Sequence, residues 1–498
     1  MRRKEKWNRM LSLVLAAVLG INSSMTAFAS EELSKKWNSG GNVVREDVNS
    51  IGLSDETKTY AADVTKRLSD EGMVLLKNEN SLLPLQDSAQ TKIALIGSTR
   101  WTTTRSDVKT GFITFKEALE TSKMQVDTSM AGILDTLDAE ALEAVKANTD
   151  VAVIVLQRGS SEGNESSNYK LSDGESNLIR QIAEQYDKVI VVLNTVCQIA
   201  SDWMLDGECG VDAVLWAGQP GNKGGQSGVD ILTGKVNPSG RLADTWASGD
   251  WDAYPSSAHW GVDETIDGVP TVTYTDDIYV GYRYFETFQV PVNFEFGFGL
   301  SFTEFEWSDY SLTPNWTKGT LTASVKVTNT GSCAGKDVVE VYYSYPDEQG
   351  LITVDVPSIQ LVEYGKTSIL EQGQSEQVSI TFDMSDLALY NESSTAWQMY
   401  MGSYAIKFGR SVKDIQHTEE FAYTSTTSVL GGTLGHKMTP QKEIEVLADT
   451  VMDGKLLVNS KVVTRYYDEN ADSTNTRILN TGNSLTEEEI QGGQNDTL

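Results

Sequence analysis

An acidic loop after a predicted buried strand carries the side chains best suited to chemistry. Arg158, Glu162 and Glu165 follow the apolar run at 151–156. Carboxyl groups can donate or accept protons in catalysis, and Gly163 allows the backbone to turn sharply beside Glu162. In a parallel sheet this is the carboxyl end of a strand, where ligands bind. In a chain with 70 acidic residues a glutamate is more often a solvated surface side chain, so composition alone leaves the loop's role open.

The segment that must position this loop, residues 60–246, alternates between strand and helix patterns. Short apolar runs typical of buried parallel strands occur at 92–97, 151–156, 188–193 and 213–216. Helices are predicted over 61–78, 139–148 and 172–186, and the glycine-rich run 221–228 leads into a further helix that ends near 234. The third begins with the capping box formed by Ser172 and Glu175. Repeated β-α-β units of this kind predict an α/β fold with a parallel sheet covered by helices on both faces.

The hydrophobic period changes to two between about residues 301 and 423. Apolar and polar residues alternate at 321–328, 338–345, 377–382 and 404–408. This pattern predicts an all-β region, an antiparallel β-sandwich of about a hundred residues. Beyond it, a Ser/Thr/Gly-rich stretch and a polar, acidic end predict a linker or poorly ordered tail over 425–498, with one short helix near 441–450.

The first residues have the pattern of an export signal. A basic segment at 2–9 is followed by an apolar stretch at 10–21 and by the small residues Ala27 and Ala29. This order predicts a signal peptide over 1–29 and a secreted, extracellular or cell-surface protein. A membrane anchor is the alternative, but the apolar stretch is short for a bilayer span.

Composition excludes several classes of partner. With 40 basic against 70 acidic residues the net charge is −30, which argues against nucleic acid or an anionic membrane surface as a partner. Three His and three Cys leave little for a metal site or a disulfide framework, so no metal or cofactor is expected. Cys197, Cys209 and Cys333 can form at most one bridge, and the pairing of the first two stays open.

Several motifs, in order, resemble glycoside hydrolase family 3. The runs at 71–78 (EGMVLLKN), 214–221 (VLWAGQPG) and 234–242 (GKVNPSGRL) resemble its α/β-sandwich domain, and 279–285 and 296–303 resemble its connector. The strand-rich region resembles the fibronectin type III-like domain that follows in this family. The resemblance covers about residues 60–420. It implies an α/β-sandwich domain at 59–248, a connector at 249–303 and a fibronectin type III-like domain at 304–424, after a linker at 30–58.

The resemblance also implies a retaining glycosidase, which holds two carboxyl groups about 5 Å apart. It places the nucleophilic Asp on a (β/α)8 barrel and matches Glu162 to the acid/base residue. Arg158 matches as well and is expected to hold the loop or a nearby carboxylate. The family usually has Asp-Arg where this chain has Glu165-Ser166, so any contact from that Arg is missing. Glu165, like Arg158, is expected to bind substrate or support the loop.

No barrel is expected within this sequence. The motif order resembles the family members in which the barrel comes last, yet about seventy residues follow the fibronectin-like region and a barrel needs about 250. The sequence is then the front of a longer enzyme, the partner of a barrel polypeptide, or a protein that has lost activity. Without a barrel, Glu162 is expected to titrate as an exposed carboxylate and the chain alone to be inactive.

Two functions remain open at this point. The first is hydrolysis of O-glycosyl bonds, in β-glucosides above all, with a carbohydrate substrate and a barrel domain or polypeptide as partners. The second is a non-catalytic secreted scaffold or glycan-binding protein. Ser201-Asp202-Trp203 mimics the family's nucleophile motif, but outside the barrel it is expected to be a coincidence. The glycines at 221–228 lack the ending of a phosphate loop and predict a tight strand-to-helix connection.

Overall fold

The computed structural model describes most of the chain between residues 55 and 467. The described residues are 55–99, 101, 112–158, 169–207, 209–254, 257, 264–266, 269–271, 278–346, 352, 355–391, 396–429, 440–443, 450–452, 455–457 and 465–467. The chain divides into two compact units, 1–68 and 69–498. In the first, the described residues belong to one helix, where the Thr65 hydroxyl donates to the Ala61 carbonyl over 2.8 Å.

The described residues contain seven α-helices and 24 strands. The helices are α1 Asp55–Gly72, α2 Phe115–Glu120, α3 Ala139–Lys146, α4 Asp173–Ala183, α5 Asp202–Leu205, α6 Gly224–Leu232 and α7 Tyr282–Thr287. The strands up to residue 294 are β1 Val74–Asn78, β2 Lys92–Gly97, β3 Gln125–Asp127, β4 Val151–Arg158, β5 Val189–Thr195, β6 Ala213–Trp216, β7 Trp246–Ala247, β8 Glu264–Ile266, β9 Val269–Thr271 and β10 Val292–Phe294. The later strands are β11 Phe305–Asn315, β12 Thr320–Asn329, β13 Val338–Ser344, β14 Gln360–Lys366, β15 Ser375–Asp383, β16 Leu389–Asn391, β17 Ala396–Met399, β18 Gly402–Gly409, β19 Ile415–Tyr423, β20 Thr427–Val429, β21 Pro440–Glu443, β22 Thr450–Met452, β23 Lys455–Leu457 and β24 Arg465–Tyr467.

A six-stranded sheet forms the centre of the α/β domain, with the strand order β1-β6-β5-β4-β2-β3. Every neighbouring pair is parallel except β1 with β6, which is antiparallel. Apolar residues of β2, β4 and β5 point alternately into two hydrophobic clusters, one on each face of the sheet. Burial on both faces is the reason that these strands are continuous apolar runs, and the predicted α/β fold is confirmed.

Two local predictions are wrong. The helix expected over 61–78 ends at Gly72, and Val74–Asn78 forms β1. The apolar residues of β1 are buried because the strand pairs with β6, a partner some 140 residues away that local periodicity cannot reveal. The short helix expected near 441–450 is contradicted at its start, where Pro440–Glu443 is a strand paired with β24.

The β-sandwich domain consists of two antiparallel sheets that enclose one core. Their strand orders are β11-β12-β15 and β14-β13-β18-β19. Burial alternates residue by residue along β12 and β15, and their inward side chains belong to a single hydrophobic cluster. The predicted all-β region is therefore confirmed as a sandwich.

A buried polar network joins the α/β domain to the β-sandwich domain. Arg241 donates through Nη2 to the Asp337 Oδ1 atom over 2.8 Å and through Nη1 to the Gly299 carbonyl. The Trp307 indole donates to the other Asp337 oxygen over 2.7 Å. Because Asp337 is only 1% exposed, these donors replace the water that its carboxylate would otherwise bind.

A second buried carboxyl lies at the same junction. Glu340 of β13 is 5% exposed and accepts a hydrogen bond of 2.5 Å from the Tyr342 hydroxyl. A Cβ atom at Gly297 would lie 2.3 Å from Glu340 Oε2, so only glycine leaves room for this carboxyl. Burial raises the pKa of Glu340 to about 7 although the tyrosine hydrogen bond opposes the shift.

Candidate functional site

The carboxyl edge of the parallel sheet has a switch point between β2 and β4. In the sheet, β3 lies on one side of β2 and β4 lies on the other. The chain leaves β2 toward β3 and leaves β4 in the opposite direction, toward β5. The ends of the two strands are tightly packed: the Ser98 amide donates to the Val155 carbonyl over 2.8 Å, and a Cβ at Gly97 would lie 2.4 Å from that oxygen. In open α/β sheets, ligands bind in the crevice at such a switch point.

Arg158 is the last residue of β4 and lies at this edge. Its Nη2 atom donates to Glu175 Oε2, and the two side chains are 11% and 16% exposed. Its Nη1 atom is buried and has no hydrogen-bond acceptor among the described residues. A buried N–H group without an acceptor costs about 1–3 kcal/mol, so it marks a position where a further group can bind favourably.

Glu175 connects Arg158 to the start of α4. The same Oε2 atom accepts from the Ser172 amide over 2.8 Å and from the Ser172 hydroxyl over 3.0 Å. Ser172 in turn accepts from the Glu175 amide, which completes the predicted capping box. The sequence identified this cap but not the ion pair, since nothing in the local pattern links residues that lie 17 positions apart.

Polar groups at the ends of β5 and β6 stabilise the carboxyl edge of the sheet through hydrogen bonds. Asn194 Nδ2 donates to the Gly218 carbonyl over 2.9 Å, and the Thr195 hydroxyl donates to the Cys197 carbonyl over 2.9 Å. The Trp216 indole donates to the Thr195 carbonyl over 3.2 Å. These groups are buried and satisfied by neighbouring strands and turns, so they fix the edge on which Arg158 lies.

Of the residues predicted for the site, the structure describes Arg158 alone. Glu162 and Glu165 lie outside the described residues, as does the rest of the segment 159–168. That segment begins directly after Arg158 and therefore starts at the switch point. The role of both glutamates remains the prediction made from the resemblance.

Two motifs that could suggest other chemistry have structural roles. Asp202 accepts from the Gly249 amide over 3.0 Å and from Asn293 Nδ2 over 2.6 Å. Its carboxylate therefore connects α5 to two segments that are remote from it in sequence. In the glycine-rich segment, a Cβ at Gly225 would lie 2.4 Å from the Ile113 carbonyl and one at Gly228 would lie 3.0 Å from the Phe115 ring. These glycines allow α6 to pack closely against the start of α2.

Other site classes find no support in the part of the chain that the structure describes. No group of three or more His, Cys, Asp or Glu side chains is arranged to hold a metal ion there. Among the same residues, no helix combines the length and apolarity that a membrane crossing requires. Cys197, Cys209 and Cys333 are all described, and none of them forms a disulfide.

Comparison with known proteins identifies both domains. Residues 73–301 match the model of the glycosyl hydrolase family 3 C-terminal domain, and residues 337–412 match that of a fibronectin type III-like domain. Beta-glucosidase A of Butyrivibrio fibrisolvens is 30% identical over 443 residues, covering 74% of this chain and 52% of that protein. Thermostable beta-glucosidase B of Acetivibrio thermocellus is 31% identical over 404 residues, covering 75% and 50%.

Comparison with solved structures supports the same family assignment. Beta-glucosidase 3B from Thermotoga neapolitana in complex with alpha-D-glucose superposes with a TM-score of 0.66 at 30% identity, covering 74% of this chain and 55% of that one. The chain spans about half the length of the curated relatives that it matches. Through its α/β domain and the fibronectin type III-like domain that follows, the chain belongs to glycosyl hydrolase family 3.

Proposed function

We propose that this chain takes part in the hydrolysis of β-glucosidic bonds and supplies the acid/base carboxyl group, Glu162, of a retaining glycosidase. Glycoside hydrolysis is the activity named for its relatives, which are beta-glucosidases. The observation that carries the proposal is Arg158, which Glu175 holds at the carboxyl edge and whose buried Nη1 atom has no acceptor within the part of the chain that the structure describes. The segment containing Glu162 starts at the residue after it.

In this mechanism Glu162 acts twice. A nucleophilic carboxylate attacks the anomeric carbon while protonated Glu162 gives its proton to the departing glycosidic oxygen. Glu162 then takes a proton from water as the water displaces the carboxylate, which restores both groups. We propose that the nucleophile belongs to a (β/α)8 barrel, on the same polypeptide or on another one. The barrel would also bury Glu162 and raise its pKa above that of an exposed carboxylate.

Arg158 is the proposed positioning residue for the acid/base loop. Its guanidinium is already oriented by Glu175, so the Nη1 atom, which no described residue accepts from, is held in a fixed direction at little entropic cost. An acceptor on the loop, either a backbone carbonyl or Glu165, would satisfy this group. The loop would then be anchored at its first residue while Gly163 leaves its tip free to turn over a substrate.

The test separates acid catalysis from general damage to the site. The full chain is assayed alone and together with a separately expressed family 3 barrel, using cellobiose and 2,4-dinitrophenyl β-glucoside as substrates. With the barrel present, Glu162→Gln should lower cellobiose turnover by a factor of about 10²–10⁴, because a poor leaving group needs the proton. The dinitrophenolate leaves without one, so bond cleavage in that substrate should fall far less.

Glu165→Gln is the matched control, since it removes a carboxylate three residues away. It should lower the turnover of both substrates by similar, smaller factors. The proposal fails if neither arm of the experiment hydrolyses either substrate. It also fails if Glu162→Gln slows the first-turnover release of dinitrophenolate as much as it slows cellobiose turnover, or leaves cellobiose turnover unchanged.

A further inference from the structure

An exposed aromatic platform lies at one tip of the β-sandwich domain, far along the chain from the acid/base loop. Trp316 occupies the turn between β11 and β12 and is 59% exposed. Its ring stacks on Phe421, with centroids 5.8 Å apart and planes 28° apart, and on Tyr423, at 6.2 Å and 24°. A ring that stacks on one side and is mostly exposed presents its other face to solvent.

The platform forms one wall of a cleft of about 370 Å³. Lys318, Asp383 and Ser385 contribute charged and hydroxyl groups to the lining, and Met399 contributes an apolar side chain. Lys318 forms no ion pair with another described residue, so its ammonium group is available to a ligand. A cleft with one apolar wall and a few hydrogen-bonding groups is the usual composition of a site for a small organic ligand.

Hydrogen bonds of the backbone make the cleft rigid. The Gly319 amide donates to the Asn315 carbonyl over 2.8 Å, and the Gly319 carbonyl accepts from the Met384 amide over 2.8 Å. Gly319 has a φ of +70°, which closes the turn and favours glycine at that position. Asp383 pairs with Thr320 in the ladder between β15 and β12. Because both walls belong to one hydrogen-bonded unit, binding would order few groups.

We propose that this cleft binds a neutral oligosaccharide chain, with one pyranose ring stacked on Trp316 and its hydroxyl groups bonded to Lys318, Asp383 and Ser385. One face of a pyranose ring consists of C–H groups, which pack against the electron-rich face of an indole. The hydroxyl groups at the ring's edge match mixed donors and acceptors, whereas an anionic chain would be repelled by a protein of net charge −30.

A neutral glycan also fits the patch better than a protein partner. The cleft is small and its lining is about as polar as it is apolar, whereas stable protein interfaces need a larger apolar centre. The choice of a β-glucan as the chain rests on the proposed function, but the binding itself is separate from turnover. Binding here would hold a polymer on the enzyme while the site at the sheet edge acts on a chain end.

The test is affinity electrophoresis of the full chain in native gels that contain graded amounts of soluble mixed-linkage β-glucan. All proteins carry Glu162→Gln, so the result does not depend on hydrolysis. The parent protein should be retarded in proportion to the glucan concentration. Trp316→Ala should raise the apparent Kd at least about tenfold, as expected for loss of a central aromatic contact. Trp316→Phe, which keeps a flat ring, should retain most of the binding.

Tyr364→Ala is the matched control, since Tyr364 is an aromatic residue of the same domain that is 63% exposed on β14. It should be retarded like the parent. The proposal is overturned if β-glucan does not retard the parent, or if Trp316→Ala binds as well as the parent. Sedimentation velocity without glycan tests whether a second copy of the chain occupies the cleft instead. A dimer that Trp316→Ala dissociates would assign the cleft to that second copy.

Discussion

Two arginine–carboxylate pairs, a partly buried one at the sheet edge and a more deeply buried one at the domain junction, stabilise different levels of structure. From described residues, both carboxylates accept three hydrogen bonds, and both guanidinium groups keep one buried nitrogen without an acceptor among those residues. For Glu175 two of the three donors come from Ser172, three residues away. For Asp337 two donors come from Arg241 and Trp307, which are remote in sequence. The first pair is therefore built on a helix cap, and the second connects two domains.

The largest effect should follow from breaking the junction pair. Asp337→Ala leaves Arg241 buried without its carboxylate and removes the acceptor of the Trp307 indole. Removal of one partner of a buried ion pair costs about 3–5 kcal/mol of unfolding free energy. Urea unfolding followed by tryptophan fluorescence measures the loss. Glu184→Ala breaks the exposed pair with Arg180 and should change the free energy by less than about 1 kcal/mol. Equal losses of unfolding free energy in the two variants would show that the Arg241–Asp337 pair does not stabilise the junction between the domains.

The junction should also make stability depend on pH through Glu340. Burial raises its pKa from the ordinary 4.5 to about 7, while the Glu295 and Asp337 carboxylates favour the same shift and Arg241 opposes it. The folded state then binds a proton that the unfolded chain has released, so the contribution of Glu340 to stability is fully present below pH 4.5 and is lost as the pH rises to about 7. The loss from this group amounts to about 3 kcal/mol.

Glu340→Gln isolates this contribution, because a neutral amide of the same shape cannot titrate. The slope of unfolding free energy against pH between 4.5 and 7 should be flatter in the variant than in the parent. Glu306→Gln, at an exposed position of β11, is the matched control and should keep the parent slope. If both variants keep that slope, Glu340 is not the group responsible.

The pair at the sheet edge should be weaker than the junction pair. Arg158→Met keeps the length of the side chain and removes its charge, but Glu175 still accepts from the Ser172 amide and hydroxyl. We expect a loss of about 1.5–3 kcal/mol in unfolding free energy, the usual contribution of a hydrogen bond to a charged group. A loss of unfolding free energy as large as that of Asp337→Ala would contradict the distinction between the pair at the sheet edge, built on a helix cap, and the pair that connects two domains.

The same contrast explains what sequence could and could not predict. The strand Ala213–Trp216 was predicted with its observed bounds because an apolar run between turn residues is a local signal. β1 was predicted as helix because only its pairing with β6 distinguishes the two. At the site, the motif identified Arg158, but its partner could not be predicted, since Glu175 already had a complete local explanation as a capping residue. The Arg241–Asp337 pair spans 96 positions and leaves no local pattern at all.

The smallest effect concerns the cap itself and sharpens the account of the sheet edge. Ser172→Ala removes the hydroxyl that accepts from the Glu175 amide, and loss of such a cap costs about 1 kcal/mol. Since Ser172 and Arg158 bind the same oxygen of Glu175, the two changes should not be additive. A double-mutant cycle with Arg158→Met, measured by urea unfolding, should give a coupling of about 0.5 kcal/mol or more. Additive losses would mean that the cap and the ion pair act independently, and that Glu175 does not orient Arg158 through the start of α4.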